Sequence, residues 1–216
     1  MPADYNKIAR FCDLLSRLVY GKSLIRSQRC LLSLIPAGSS VLVVGGGTGW
    51  ILEDISKLAQ PGISVTYVEL SASMIRLAKK RALGNLRVDF DCQPFETYEG
   101  KQKFDCLFTA YFLDNFSSVQ LPAIFQKLSG LLKEGGIWLY ADFVDQKKGG
   151  PVWQKLLLKL MYLFFRISCG IEATELADPV PLFASTYLPV FERTDFSGFL
   201  RSCGYRKLGN TAPENP

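Results

Sequence analysis

Residues 41–50 read VLVVGGGTGW: four aliphatic residues run directly into a glycine cluster. An unbroken apolar run of this length, bounded by turn residues, suits a strand buried on both faces, as in a parallel sheet. Gly45, Gly47 and Gly49 then give a GxGxG spacing. Without Cβ atoms they permit a tight turn and let a ligand lie against bare backbone. In open α/β sheets that ligand sits beyond the carboxyl ends of the strands.

The pattern outward from this stretch repeats strand and helix. Trp50 to Ala59 reads as a helix, SVTYVE (64–69) as a strand, and Ser71 as the N-cap of a helix reaching about Ala82. LRVDF (86–90) and FDCLFTA (104–110) read as strands, Val119 to Leu132 as a helix, and IWLYADF (137–143) as a strand after Gly135-Gly136. Upstream, KIARFCDLLSRLV (7–19) places Ile8, Phe11, Cys12, Leu15, Leu18 and Val19 on one helical face. A second helical stretch, 23–35, stops at Pro36-Ala37-Gly38. This alternation predicts an α/β fold, a Rossmann-like doubly wound sheet with N-terminal helices. After the fifth strand come a strongly apolar helix (153–167) and a proline-punctuated stretch (178–192). A last helix is expected with Thr194 as N-cap and Gly204 just past its end. The chain reads as a single domain, 1–216, in four parts. They are an N-terminal helical cap (1–38), a ligand-binding core (39–143), a lid or substrate insertion (144–192), and a C-terminal helix with a partial strand (193–216).

Composition narrows the chemistry. The net charge is +5 with Lys and Arg scattered, which argues against a nucleic-acid surface. The six cysteines form no CxxC pair and no secretory signal precedes them, so a reducing, cytoplasmic setting is expected, without disulfide or zinc sites. There is no histidine. That excludes Ser-His and Cys-His nucleophile systems and histidine-ligated metals, and no metal is expected. Proton transfer would fall to Asp, Glu, Tyr, Lys or Cys.

Three ligand classes use such a glycine loop. A phosphate-binding P-loop needs GxxxxGK[ST], and Trp50 follows Gly49 here, so that reading fails. A dinucleotide loop needs GxGxxG and an acid about 20 residues on. Glu69 is that acid, but the third glycine falls one position early. A carboxylate at the end of the second strand can accept from both ribose hydroxyls of an adenosine; the alternative is a solvated strand-end acid.

The chain resembles the class I S-adenosylmethionine-dependent methyltransferases, particularly the small ubiquinone-biosynthesis-like branch. The resemblance runs from about Tyr5 to Tyr205 and rests on four motifs in order: VLVVGGGTG, YVELSASMIRLAKKRA, QKFDCLFTAYFLDNF and LSGLLKEGGIWLYADF. It implies S-adenosyl-L-methionine as cofactor. Gly45, Gly46, Gly47 and Gly49 would pack against its methionine and ribose part, Glu69 with Leu70 would hold the ribose, and Met74 would lie near the adenine. Cys92, Gln93, Pro94 and Phe95 would follow the adenine edge, and Thr109, Ala110 and Tyr111 would floor the site. Two departures stand out. Val43 occupies the position where the family carries an acid for the methionine end, and the closing antiparallel strand is expected to be missing after Leu208.

Methyl transfer from a sulfonium depends chiefly on holding nucleophile, methyl and sulfur in line. Asp142, Tyr111 and Asp114 are the candidate catalytic residues, Asp142 first; a cap or strand-end hydrogen bond is the alternative for each. Where relatives often carry histidines, this chain has Asp114-Asn115. Lys22 and Arg26 are candidates for the cofactor carboxylate, with surface solvation as the alternative. The expected partner is a small-molecule acceptor. Helix 153–167 is too short and too charged, with Lys155, Lys159 and Arg166, to span a bilayer. It would pack on the sheet, pair with a second copy as a homodimer, or cover a lipophilic acceptor at a membrane surface as a peripheral contact. The rival functions are an aminopropyltransferase using decarboxylated S-adenosylmethionine, for which Asp114 lacks the expected second aspartate, a non-catalytic binding or scaffold module, and a nicotinamide enzyme.

Overall fold

The computed structural model of the chain describes residues 17–58, 60–144, 151–169 and 176–209. Its centre is β1 (Ser40–Val44), the quoted apolar run, in which Val41 to Val44 are all buried. Parallel neighbours flank it on both sides, so that Val43 lies between Tyr67 and Phe108. The other strands are β2 (Ser64–Val68), β3 (Arg87–Asp91), β4 (Phe104–Ala110), β5 (Leu132–Phe143), β6 (Tyr187–Asp195) and β7 (Leu200–Lys207). They form one sheet in the order β3-β2-β1-β4-β5-β7-β6. The first five are parallel, and β7 runs antiparallel to both of its neighbours. Strand order reverses between β1 and β4, which opens the crevice at their carboxyl ends.

Alternation along β1 sends side chains to two cores. Leu42 and Val44 join Phe104, Leu107, Trp138 and Tyr140 under α4 (Leu121–Leu131). Val41 and Val43 join Phe108, Leu139, Tyr67 and the buried residues of α2 (Trp50–Ser56). Val43 is thus core packing, where an ionised acid would need a partner to offset its desolvation. The helix α3 (Ala72–Ala78) starts at Ser71, whose hydroxyl accepts from Met74 N–H as expected of the cap. α1 (Ser23–Arg29) is shorter than the expected 23–35, because the chain tightens into a 3-10 turn at Leu32–Leu34 before Pro36.

The helix expected over 7–19 lies mostly outside the described residues. Of its described end, Leu18 and Val19 are exposed and Tyr20 is the buried residue, its ring packed on Phe143, Phe196 and Phe199. Tyr20 belongs to a third apolar cluster that includes Leu158 and Tyr162 of α5 (Val152–Cys169). A short helix, α6 (Val180–Phe183), precedes β6.

The C-terminal expectation is corrected. Residue 194 does not begin a helix: Thr194 pairs with Arg201 in the β6–β7 ladder, and the antiparallel ending of the sheet is present. The insertion after β5 accordingly ends before Tyr187, not at 192. Gly204 is no helix end; a Cβ there would approach Leu34 Cδ1 to 2.8 Å, so it marks close packing against the 3-10 turn Leu32–Leu34. Phe196, Ser197 and Gly198 turn the hairpin with φ of 52°, 54° and 79°.

Gly49 has φ of 74°, and a Cβ there would meet Ala78 Cα at 2.8 Å. Gly49→Ala combines left-handed strain with overpacking, so a stability loss of about 2–4 kcal/mol is expected in thermal or urea melts. Gly130, in α4, has open space around its Cβ direction. Gly130→Ala is expected to gain a few tenths to about 1 kcal/mol in the same assay.

Candidate active site

The carboxyl ends of β1, β2, β4 and β5 bring together most of the residues singled out above. Gly45, Gly47 and Gly49 all adopt positive φ, and Gly45 N–H donates to Val68 O at 2.9 Å, which fixes the start of the loop on β2. Tyr67 lies beneath Gly46, where any Cβ would strike its ring, and its hydroxyl donates to Gly47 O at 2.9 Å. Arg81 holds the loop from the side, donating to Thr48 O and Thr48 Oγ1, both at 3.0 Å. Sequence reasoning missed Tyr67 and Arg81: one reads as an ordinary strand aromatic and the other as a surface charge.

Glu69 closes the front of the loop. Its Oε2 accepts from Gly47 N–H at 3.0 Å and its Oε1 from Ser71 N–H at 2.8 Å. Burial raises its pKa above the ordinary glutamate value, opposed by the backbone donors of Ser71, Gly47 and Leu70. Two oxygens offer about four lone-pair sites, and the three backbone donors leave about one of them for a further donor.

The neighbouring candidates divide by exposure. Cys92 is exposed, Leu70, Gln93 and Pro94 are half-buried, and Met74, in the first turn of α3, is buried. Cys92 Sγ donates weakly to Leu70 O at 3.8 Å, and Gln93 Nε2 donates to the Asp91 carboxylate. Phe95 faces the core instead, edge-on to Phe112. Thr109 is also buried, its hydroxyl accepting from Trp138 Nε1 at 2.8 Å. Ala110 remains half-buried at the strand end. Lys22 and Arg26 are exposed on and before α1, and the Arg26 guanidinium donates to Ser23 Oγ at 3.3 Å.

Tyr111 leaves β4 with φ of 54°, an outlier for a bulky residue. Its N–H donates to Ala141 O, and its hydroxyl lies 2.6 Å from Ser27 Oγ. Ser27 Oγ also donates to Leu24 O at 2.8 Å. Ser202 of β7 in turn donates to Ser27 O at 2.7 Å. These bonds bolt α1 across the ends of β4 and β7. Ser27, Tyr20 and Tyr162 carried no local signal, because each reaches the site from a distant part of the chain.

Asp142 is buried, and its carboxylate is spent on backbone: it accepts from Phe143 N–H at 2.9 Å and Asp114 N–H at 3.2 Å, and also from Leu113 N–H. It caps the 3-10 turn Leu113–Asn115, the structural alternative left open by the sequence. Asp114 lies beside it, with Oδ1 accepting from Asn115 Nδ2 at 3.0 Å and its carbonyl accepting from Tyr162 at 3.1 Å. Burial raises both carboxyl pKa values, and repulsion from Asp114 raises Asp142 further. Burial, and then the two acids, raise Tyr111 well above an ordinary phenol, against the bond to Ser27. Among the described residues, no group of three or more His, Cys, Asp or Glu is placed to hold a metal ion.

A family model described as a methyltransferase domain matches residues 41–136. The chain is 30% identical over 148 residues to a protein named probable thiol methyltransferase 2 from Arabidopsis thaliana, covering 67% of this chain and 63% of that protein. It is 26% identical over 129 residues to a ubiquinone/menaquinone biosynthesis C-methyltransferase from Hahella chejuensis, covering 56% of this chain and 49% of that one. The chain thus spans about half to just under two thirds of the length of these relatives. The N-methyltransferase NodS of Bradyrhizobium japonicum, solved with S-adenosyl-L-homocysteine, has a TM-score of 0.60 at 15% identity, over 85% of this chain and 83% of that chain.

Because both carboxyl pKa values are raised, the folded chain binds protons more tightly than the unfolded chain. The stability this confers is fully present below the unfolded value of about 4 and is lost as pH rises through the folded values. Asp114→Asn keeps an acceptor for Asn115 and removes the repulsion. Its melting temperature should match or exceed that of the unsubstituted chain near about pH 8, and should vary less with pH. Asp142→Ala strands three backbone donors and should cost about 2–4 kcal/mol in the same melts.

Proposed function

We propose that the chain is a class I S-adenosylmethionine-dependent methyltransferase that transfers a methyl group to a small, apolar acceptor at the carboxyl ends of β4 and β5. The observation that carries the reading is the Glu69 carboxylate clamped between Gly47 N–H and Ser71 N–H, beside a loop where side chains are excluded at Gly45, Gly46 and Gly49. A ribose hydroxyl fits the acceptor site that remains on Glu69, and a thioether chain with no phosphate fits a cradle of backbone.

In this reading Gly45, Gly46, Gly47 and Gly49 lie along the methionine and ribose. Glu69 accepts from the ribose hydroxyls, and Leu70, Met74, Cys92, Gln93 and Pro94 border the adenine. Bound there, S-adenosylmethionine supplies an electrophilic methyl group on a sulfonium. Ala110 and Tyr111 form the floor, while Thr109 and Phe95 support it from the core. Asp142 positions the turn after β4, and Asp114, in its ionised form, is the carboxyl that can receive a proton from the acceptor. The ring cluster of Tyr20, Phe143, Phe196 and Phe199 at these strand ends excludes water and favours an apolar acceptor. The relatives' names, a thiol and a quinone-pathway methyltransferase, support a small acceptor. The aminopropyltransferase and scaffold readings receive no support from these relatives. A cytoplasmic setting is part of the same proposal, supported by free thiols at Cys30, Cys92, Cys106 and Cys203.

Thermal shift against S-adenosylmethionine, its demethylated product, the decarboxylated form and NAD tests this. The first two, at about 100-fold their dissociation constants, should add about 2.7 kcal/mol, a rise of roughly 5–10 °C. A shift with NAD alone, or with none of the four, would overturn the reading. Glu69→Gln should weaken cofactor binding by about ten- to a hundredfold in calorimetric titration.

A further inference from the structure

Helix α5 divides lengthwise into three stripes. Gln154, Leu158 and Tyr162, spaced four apart, face the protein and are buried, with Leu157 and Met161 half-buried beside them. Val152, Trp153, Leu156, Leu160 and Leu163 form the outward arc and are 82%, 44%, 56%, 53% and 47% exposed. At 3.6 residues per turn this arc covers about 100°. Lys155 and Lys159 form the third stripe, exposed along one edge of the arc, and Val152 to Leu163 contains no acid.

The helix is held in this orientation. Tyr162 donates to Asp114 O, Gln154 Nε2 donates to Ser197 O at 3.0 Å, and Trp153 lies edge-on to Phe196. Rolling the apolar arc inward would break all three contacts. The arc is not a membrane span, since no described helix is long and apolar enough to cross a bilayer.

We propose that this arc, with its lysine edge, docks the protein on an anionic lipid bilayer, the helix lying in the plane of the surface. Amphipathic helices with an apolar face, a flanking tryptophan and basic residues at the border bind there by burying the apolar side chains while the ammonium groups meet lipid phosphates. Charge decides between lipid and a second copy. Two α5 helices packed arc to arc would place lysines beside the seam with no acid on either helix to pair them. Anionic headgroups supply that missing charge. The buried stripe of the same helix backs the Asp114 turn, so docking sets the proposed acceptor site one helix thickness from the lipid. The docking itself needs neither cofactor nor acceptor, so it stands or falls apart from methyl transfer.

Co-sedimentation of the full chain with phosphatidylcholine vesicles, with and without phosphatidylglycerol, tests the proposal. Binding should appear with phosphatidylglycerol and fall with salt. Lys155→Gln and Lys159→Gln should each weaken it about fivefold. The double variant Leu156→Ser/Leu160→Ser should weaken it at least about tenfold without lowering the melting temperature, because both side chains are exposed. No binding to anionic vesicles would overturn it, as would equal binding to neutral ones. Self-association in analytical ultracentrifugation that the leucine pair abolishes, without vesicle binding, would assign the face to a second copy instead.

Discussion

Glu69 sits at the joint of the molecule. Its side chain is almost wholly buried, yet it carries an acid, and burial alone would favour its neutral form. Backbone N–H groups from two different segments meet its two oxygens: one from the loop after β1, one from the turn that begins α3. Charge-assisted bonds of this kind are about twice as strong as neutral ones. They offset the desolvation and tie the glycine loop to the second strand. Without that tie, three residues with positive φ would have little reason to keep one conformation, since glycine backbone samples both signs freely. Tyr67 below and Arg81 beside the loop complete the restraint. The loop is therefore rigid for reasons external to it.

The two ends of the crevice use carboxylates in opposite ways. At the β1–β2 end a single acid is stabilised by three backbone donors. At the β4–β5 end Asp142 is saturated by backbone donors, while Asp114 is left close to another buried acid. Like charges in a low dielectric raise each other's pKa, so this pair tends to retain a proton. Tyr111, with its left-handed backbone and its bond to Ser27, stands between these two ends and couples the N-terminal helix to both.

Legibility in the sequence followed burial. β1 and β4 are covered on both faces and so appear as apolar runs with sharp turn signals; β4 matches the expected FDCLFTA residue for residue. β6 is an edge strand, exposed at most positions and broken by Pro189, so its period-two signal is diluted. Gly204 then imitated a helix stop, because a glycine that admits a neighbouring side chain and a glycine that caps a helix look alike in one dimension. The glycine loop and Glu69 were readable from spacing. The roles of Asp142 and Ser27 were not, since a carboxylate spent on a remote turn has the same sequence as one that faces a substrate.

The hydrogen bond from Ser202 to Ser27 joins residues 175 positions apart, and β7 is inserted between β5 and β6 rather than added at the sheet's rim. Loop-closure entropy makes such a contact among the last to be rewarded during folding. The strands and loop from Ser40 to Ala110 close over short stretches of chain. Tyr111 is different: it is bonded to α1, which is itself bonded to β7. On loop-closure entropy alone, the β1–β2 side of the crevice is therefore cheaper to form than the β4–β5 side, which needs β7 in place between β5 and β6.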